Sequence, residues 1–248
     1  MSFFFYLRTC GVVNSICLLA IAASRDNFEA LSALGEYDGI DFNRVNLFGV
    51  SPLLAACQFG AINAVRFLTH FNVDQDETAS IVNCRCVDIN GFGCTAIAAR
   101  YNRKEVVEYL CQIHNPDNDR GVDINQRAGE QKNTALHIAV RYECKETIST
   151  FLQMIPRDID LGLRNSSGMT ALHIAASAGY TDIVKAFVVA LKDEIKDLDN
   201  VDNRGMTPLF YGKCYTLQYE QAYLYLRNVF VIGSHDFFQH LREDTKKL

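Results

Sequence analysis

The chain has 248 residues, 49% of them hydrophobic, and a formal net charge of −5 at pH 7. A chain of this length and composition buries a sizeable core in one or two domains. The mildly acidic balance provides no basic field, which argues against nucleic acid or an anionic membrane as a partner. No uncharged apolar run reaches the roughly 18 residues that a transmembrane helix needs.

The N-terminal segment from Phe3 to Ser24 is apolar and has two interpretations. Its one charge is Arg8, and its last residues are similar to a signal-peptide cleavage region. In a signal peptide, however, the positive charge precedes the apolar stretch, whereas Arg8 follows three phenylalanines. The sequence of Ile21–Ser24 also recurs as Ile174–Ser177. We therefore prefer to interpret the segment as the inner helix of a first repeat.

The nine cysteines are an odd number and are scattered along the chain. Several, such as Cys57, Cys111 and Cys144, stand in apolar helical runs. This distribution is typical of reduced thiols in a cytosol and not of a disulfide framework. We therefore expect a cytoplasmic location.

One six-residue phrase occurs twice in the second half of the chain. Thr134–Ala139 and Thr170–Ala175 both read Thr-Ala-Leu-His-Ile-Ala, and weaker copies begin at Ser51 and Thr207. Self-similarity at a period of about 20 to 50 residues is typical of a stacked repeat array. Because each repeat contacts mainly its neighbours, we expect one elongated array.

The phrase resembles the Thr-Pro-Leu-His-x-Ala motif of the ankyrin-repeat family. The resemblance covers roughly residues 15–230. It implies an all-α fold, a solenoid of about six helix–turn–helix repeats with β-turn tips and a helical C-terminal cap. The expected ankyrin-repeat domain is 1–232, followed by a capping helix or tail at 233–248. Its repeats are expected near 12–45, 46–87, 88–127, 128–164, 165–201 and 202–232.

Each part of the repeated motif has a local physical reason. Glycine after Asp or Asn permits a tight turn with positive φ, and Ser or Thr then caps the first helix. Two small residues let neighbouring helices approach closely. Repeat five has every part, from Asn165 through Gly168 and Thr170 to Ala175. Repeat four has Lys132 where the turn glycine is expected.

Repeat three can be aligned in two registers. Aligning Thr95 with the capping residue leaves the first helix two residues short, whereas aligning Asp88 and Gly91 with the turn needs no gap. We prefer the gap-free register, in which this repeat has lost its capping threonine.

The connectors between repeats are longer than is usual for the family. Ile40–Asn43, Val122–Asn125 and Ile159–Leu161 resemble its strand-like Ala-Asp-Val-Asn linkers. The polar insertions Phe71–Val87 and Asn115–Arg127 are either recognition loops or plain surface extensions. The sequence favours neither interpretation.

The C-terminal part of the chain, from residue 215, is rich in aromatic residues. We expect a cap in which amphipathic tyrosines cover the open end of the stack. The alternative is a docking face for a partner or a second copy. The tyrosines concerned are Tyr211, Tyr215, Tyr219, Tyr223 and Tyr225.

The resemblance also implies where a partner binds, at the turn tips and at two variable positions after the small pair of each inner helix. Tyr and Arg are over-represented at binding hot spots. We therefore predict an aromatic, arginine-flanked groove; the alternative is that the rings pack between repeats. The predicted residues at the variable positions are Phe59, Arg100, Tyr101, Arg141, Tyr142 and Tyr215.

Two turn tips carry phenylalanine, Phe48 and Phe92. Apolar residues are unusual at a solvent-exposed tip, and these either extend the binding surface or pack on the long loops. The sequence leaves both interpretations open.

We expect no catalytic residues, metal or cofactor. His137 and His173 stand in the repeated motif, where the ring resembles a structural element that ties the turn to the helix. Cys84, Cys86 and Cys94 match no zinc-finger spacing and lack a convincing fourth ligand. No Gly-x-Ser-x-Gly, phosphate-loop or His-Glu-x-x-His motif occurs.

The predicted function is a non-catalytic protein–protein interaction module, an adaptor or scaffold that acts as a monomer and binds a protein along its concave groove. The alternative is an effector secreted by an intracellular bacterium into a host cytosol, or the targeting segment of an enzyme. The eroded repeats and long insertions favour such a lineage only weakly.

Overall fold

The computed structural model describes residues 12–37, 40–70, 82–113, 122–154, 159–191, 200–214 and 224–227. Within these ranges the regular structure is α-helical, and an isolated antiparallel bridge joins Val87 to Gly93. This confirms the predicted all-α class. Tyr215, most of the two insertions and the predicted cap at 233–248 lie outside the described residues.

The first ten helices follow one another in pairs, each an inner helix and then an outer one, and an eleventh inner helix follows them; they belong to two compact units. The unit Met1–Glu130 contains α1 (Val12–Ser24), α2 (Phe28–Gly35), α3 (Pro52–Phe59), α4 (Ile62–His70), α5 (Cys94–Arg100) and α6 (Lys104–Gln112). The unit Gln131–Leu248 contains α7 (Ala135–Arg141), α8 (Lys145–Gln153), α9 (Ala171–Ala178), α10 (Thr181–Ala190) and α11 (Pro208–Cys214). None of the described helices is long and apolar enough to cross a bilayer.

In the first unit the inner helices pack side by side, α1 on α3 and α3 on α5. The small side chains of Ala23, Ala56 and Ala98 are fully buried at these contacts, which lets the helix backbones come close together. The helix α1 thus occupies the position of the first repeat's inner helix, as the sequence predicted. The outer helices form a second row, with α2 packed on α4 and α4 on α6.

The second unit repeats this arrangement. The inner helix α9 packs between α7 and α11, and the outer helices α8 and α10 pack on each other. Phe151 and Phe187 fill the space beneath the outer helices and are almost completely buried. Each such ring contributes on the order of 1.5–3 kcal/mol to the free energy of unfolding.

Four of the turn tips are built in the same way. The side-chain oxygen of an Asp or Asn accepts hydrogen bonds from the backbone N–H groups two and four residues later, at 2.8–3.0 Å. The residue three positions after the acceptor is a glycine with φ between 72° and 80°. The four acceptors are Asn46, Asp88, Asn165 and Asp202.

The turn of repeat three confirms the gap-free register. Asp88 accepts the two backbone bonds, and α5 begins directly after Gly93. Gly93 has no side chain to cap the helix, so this repeat has lost its capping threonine, as predicted. Thr95 lies inside the helix and is buried.

The turn of repeat four differs from the four turns that have an Asp or Asn acceptor. Gly129 stands at the position of the Asp or Asn acceptor, so the side-chain bonds of the other turns are missing there. Lys132 adopts a φ of 50° at the position where the other repeats have glycine. A residue with a Cβ is strained in this left-handed conformation.

The prediction of strand-like linkers was wrong. Within the described residues these segments form turns, because the side chain of an Asp accepts a bond from the backbone N–H two residues later. The extended pairing of a strand is replaced by this local bond. The three acceptors are Asp41, Asp123 and Asp160.

Candidate protein-binding surface

His137 and His173 have the structural role predicted for them. The ring Nδ1 of His173 accepts from the backbone N–H of Thr170 at 3.1 Å, and the proton of the neutral ring therefore lies on Nε2. Nε2 donates to the carbonyl oxygen of Met206, 3.1 Å away in the turn of the next repeat. His137 makes the same pair of contacts one repeat earlier, with Thr134 and Met169.

Burial lowers the pKa of His173 below 6.5, because the protonated ring would lose its hydration. The bond to Met206 and the negative charge of Asp202 act in the opposite direction but are outweighed. The neutral ring is also the form that accepts the bond from Thr170. His173 is thus a buried link between repeats and offers no accessible acid or base.

The predicted binding rings stand at the ends of the inner helices and are exposed. Phe59 is 56% exposed, Tyr101 42% and Tyr142 51%. The alternative, that these rings pack between repeats and leave little surface, does not describe this structure. Phe59 and Tyr101 belong to α3 and to the cap of α5, two helices that pack against each other in the first unit.

A left-handed residue follows each ring and turns the chain away from the inner helix. It is Gly60 after Phe59, Asn102 after Tyr101 and Glu143 after Tyr142, with φ values of 77°, 52° and 54°. The ring is therefore the last side chain before the chain reverses. In all three repeats, this geometry places the ring at the C-terminal end of the inner helix.

Both predicted arginines are exposed at the ends of their helices. The guanidinium carbon of Arg100 lies 5.8 Å from the centroid of the Tyr101 ring. An exposed cation–π contact of this kind is worth about 0.5–1 kcal/mol. Arg141 precedes Tyr142 in the second unit, as Arg100 precedes Tyr101 in the first.

The structure separates the two phenylalanines of the turn tips. Phe48 is 67% exposed and adds to the apolar surface of its tip. Phe92 is half-buried over the turn of the next repeat, where a Cβ added to Gly129 would lie 3.2 Å from its ring. Phe92 is thus a packing residue between two tips, which neither sequence interpretation anticipated.

Arg103 takes part in the arrangement of this surface and was missed from the sequence. Its Nε donates to the carbonyl oxygen of Gln58 at 3.0 Å, and its side chain covers Gly60. The bond joins the end of α3 to the start of α6 and fixes the backbone beneath Phe59. An arginine after a left-handed residue is too weak a pattern to reveal such a contact.

A groove on the outer helices of the second unit was also missed. It lies between α8 and α10, has a volume of about 440 Å³, and is lined mainly by apolar side chains. At its rim, the Nζ atom of Lys145 lies 3.7 Å from the Oδ2 atom of Asp182. In the sequence, an indication of this groove was Val189, an apolar residue of α10 that is 40% exposed.

The cysteines of repeat three come together without forming a metal site. The sulfur atoms of Cys86 and Cys94 are 4.0 Å apart, and the hydroxyl of Ser51 lies 3.2 Å from the sulfur of Cys86. In the part of the chain that the structure describes, no group of three or more His, Cys, Asp or Glu side chains is arranged to hold a metal ion.

Comparison with protein-family models gives matches to ankyrin repeats over most of the chain. A model described as ankyrin repeats (many copies) matches residues 19–69. A second, described as ankyrin repeats (3 copies), matches residues 75–160 and 149–227.

Three curated proteins are similar to this chain. Ankyrin repeat protein FPV031 of Fowlpox virus (strain NVSL) is 30% identical over 161 residues, which is 64% of this chain and 42% of that protein. An L-asparaginase of Dirofilaria immitis is 26% identical over 88% of this chain and 34% of its own length. The palmitoyltransferase AKR1 of Lachancea kluyveri is 26% identical over 65% of this chain. The chain spans less than half of each relative, and only 20% of the last.

Solved structures share the fold. The ankyrin repeat protein EF0377 superimposes with a TM-score of 0.64 at 17% identity, covering 86% of this chain and 97% of that one. A chain from the complex of the predatory endopeptidase Bd0816 of Bdellovibrio bacteriovorus with the immunity protein Bd3460 gives a TM-score of 0.60 at 21% identity. That match covers 85% of this chain and 97% of the other.

Proposed function

Because this chain belongs to the ankyrin-repeat family, we propose that it is a non-catalytic module that binds a protein partner through the ends of its inner helices. The family typically consists of interaction modules, and the repeated histidines are occupied by structural hydrogen bonds. Partner binding therefore depends on the shape and chemistry of the exposed repeat positions.

The observation that carries this proposal is the exposure of Phe59, Tyr101 and Tyr142 at one repeat position, whereas the small residues earlier in the same helices are buried. Ala98 and Ala99, which precede Tyr101 and Arg100, are fully buried. The helices are thus fixed by their small residues, and the rings at their ends are not needed for packing. Aromatic residues held on a rigid support lose little entropy on binding and are frequent hot spots.

The charge of these helix ends supports a partner that carries carboxylates. In the first unit Arg25 stands at the ring position of the first repeat and Arg100 beside Tyr101; in the second unit Arg141 stands beside Tyr142, and all three arginines are exposed. The chain as a whole has a net charge of −5, so these arginines contrast with the rest of the surface. We propose a partner segment that combines acidic side chains with apolar ones, whose binding weakens as salt screens the charges.

The test is affinity capture from lysate with the wild-type chain and with the double variant Tyr101→Ala/Tyr142→Ala. A partner of this surface is captured by the wild type and lost from the double variant. The matched control is Phe28→Ala, which removes an aromatic ring that is 47% exposed at the first residue of α2 and does not stand at the ring position of a repeat. Equal recovery of every captured protein by all three chains would overturn the proposed surface.

A second form of the proposal is that the chain serves as the binding segment of a longer enzyme. Two relatives bear enzyme names, and this chain matches only 34% and 20% of their lengths. Assays of asparagine hydrolysis with the isolated chain test this form. Asparagine hydrolysis by a pure preparation of the isolated chain would show that the chain itself is catalytic and would contradict both forms.

We also propose that the module is a monomer in a cytosol. The support for a cytosol is the scattered distribution of the cysteines and the burial of several of them, among them Cys57, Cys84 and Cys94. Size-exclusion chromatography with light scattering measures the mass directly, and a mass of twice 27.9 kDa would show a dimer instead.

A further inference from the structure

Two cysteine thiols face each other at the base of the turn in repeat three. The antiparallel bridge pairs Val87 with Gly93, so the next residues outward, Cys86 and Cys94, stand opposite each other. Their sulfur atoms are 4.0 Å apart. The two residues and the turn between them lie within the first unit.

We infer that Cys86 and Cys94 form a redox modification site, which closes to an intrachain disulfide when the protein meets hydrogen peroxide. A disulfide requires Cβ atoms about 3.5–4.5 Å apart and sulfurs at about 2.05 Å. Cys86 and Cys94 flank the bridge between Val87 and Gly93, and their sulfur atoms already lie 4.0 Å apart. Side-chain rotation with a small backbone shift at the turn therefore brings the two sulfurs into bonding distance.

The two thiols differ in access, which sets the order of the chemical steps. Cys86 is half-buried, whereas Cys94 is 2% exposed. The sulfur of Cys86 attacks one oxygen of hydrogen peroxide, which leaves a sulfenic acid and releases water. The sulfur of Cys94 then displaces the hydroxyl group as a second water and forms the S–S bond. In total, the two thiols lose two protons and two electrons, and one peroxide is reduced to two waters.

Two other cysteines lie near this pair, and one of them, Cys57, shares a hydrogen bond with Cys94. The thiol of Cys84 points to the carbonyl oxygen of Val82 at 3.8 Å. Cys57 is fully buried on α3, out of reach of an oxidant in solution. Cys86, half-buried and thus more accessible than Cys94, is the entry point, and Cys94 is the thiol on the other side of the bridge.

The local environment makes this reaction slow at neutral pH. The hydrogen bond with Cys94, together with burial, holds the pKa of Cys86 above the usual value for a thiol. Because the thiolate is the reactive form, little of it is present near pH 7. The pair therefore responds to sustained peroxide and not to a brief exposure.

The disulfide would covalently link the two ends of an exposed turn. The loop between the two cysteines carries Ile89, which is 70% exposed, and Phe92, which packs over Gly129. A covalent link between the ends of this loop restricts the unfolded chain, so the oxidised protein is expected to melt at a higher temperature than the reduced one.

The sequence allows a direct mass-spectrometric test with the full chain. Trypsin cleaves after Arg66, Arg85 and Arg100, which leaves Cys86 and Cys94 together on peptide 86–100 and places Cys57 and Cys84 on two other peptides. The native protein is treated with excess peroxide for hours, denatured, alkylated with N-ethylmaleimide and digested without reductant. We expect peptide 86–100 two hydrogens lighter and without alkylation.

Variants separate this pairing from its alternatives. Cys84→Ser is expected to keep the linked peptide, whereas Cys86→Ser, which retains a polar group beside Ser51, abolishes it. Circular dichroism before oxidation verifies that each variant is folded, and peroxide treatment of the urea-denatured chain shows the pairing of unstructured thiols. A peptide 86–100 cross-linked to 67–85 or 45–66, or one that keeps two alkylated cysteines after peroxide, would overturn the inference.

Discussion

Some single residues in this chain differ from the repeat pattern, and each difference lowers the free energy of unfolding. Lys132 adopts a left-handed φ of 50° where four other turns have glycine. The strain of a side chain in this conformation is about 1–2 kcal/mol, and glycine also gains entropy in the unfolded chain. The two effects oppose each other, and the strain is the larger.

We therefore predict that Lys132→Gly raises the free energy of unfolding by about 1 kcal/mol. Urea denaturation followed by circular dichroism measures the change. The control is Glu130→Gly, two residues earlier in the same turn, where φ is not positive and glycine has only its entropic cost. Destabilisation by Lys132→Gly equal to that of the control would show that the left-handed turn is not populated.

Thr95 is a second residue at odds with its environment. Its hydroxyl is buried, and among the described residues it has no hydrogen-bond partner. A buried hydroxyl without a partner costs about 1–3 kcal/mol, whereas a methyl group of the same shape costs little. Thr95 lies two residues beyond the capping position, which Gly93 occupies, so its hydroxyl does not cap the helix.

The substitution Thr95→Val is expected to stabilise the chain by about 1 kcal/mol. The contrasting variant is Thr170→Val, because Thr170 caps α9 in a capping box with His173 and its removal should cost about 1 kcal/mol. Thermal or urea unfolding of both variants gives the comparison. Destabilisation by Thr95→Val would mean that the hydroxyl has a hydrogen-bond partner in solution.

At the scale of elements, the histidine of the repeated motif joins one helix to the next turn. His173 has its pKa lowered by burial, so near the unfolded pKa of about 6.5 the unfolded chain binds a proton that the folded chain does not. Stability from this group is complete above about pH 7.5 and decreases as the pH falls through 6.5 toward the folded pKa.

The expected result is a wild-type unfolding free energy that decreases with falling pH more steeply than that of His173→Gln. The difference in slope should be at most about 1.4 kcal/mol per pH unit, which corresponds to one proton. Urea titrations between pH 5 and pH 8 measure it (about the range in which histidine titrates), and the variant serves as the reference for all other groups. Parallel pH profiles would contradict the buried, neutral state of the ring.

The elements themselves were largely predictable, because the pattern that specifies them is local. The spacing of Asp88 and Gly91 was sufficient to choose the register of repeat three, since both residues act within one turn. The linkers were not predicted correctly. The sequence Val-Asp-Ile-Asn at residues 122–125 has the apolar alternation of a strand, but the side chain of Asp123 bonds to the backbone of Asn125 and forms a turn.

Contacts between repeats were less predictable than the repeats. The positions of Phe59 and Tyr101 followed from counting within each motif, yet the role of Arg103 depends on which carbonyl its side chain reaches in the neighbouring repeat. The same applies to Phe92, whose partner is a glycine 37 residues away in the chain. Such contacts depend on how two neighbouring repeats of different length pack on each other, and the pattern within each repeat does not specify that packing.

At the scale of the molecule, the residues that support the fold are different from those available to a partner. In both units small residues hold the inner helices close together, and in the second unit His137 and His173 also bond to their capping threonines. Phe59, Tyr101 and Tyr142 end their inner helices in exposed positions. The rings are thus expected to contribute to binding and to contribute little to stability. This difference between binding and stability can be measured.

The most direct test is calorimetric titration of a captured partner with wild type, Phe59→Ala/Tyr101→Ala and the control Phe28→Ala, together with the melting temperature of each. We predict that the double variant weakens binding by about 30-fold or more, the equivalent of a hot spot of about 2 kcal/mol. Its melting temperature should match that of the control. An unchanged affinity, or a loss of thermal stability much larger than that of the control, would contradict the account.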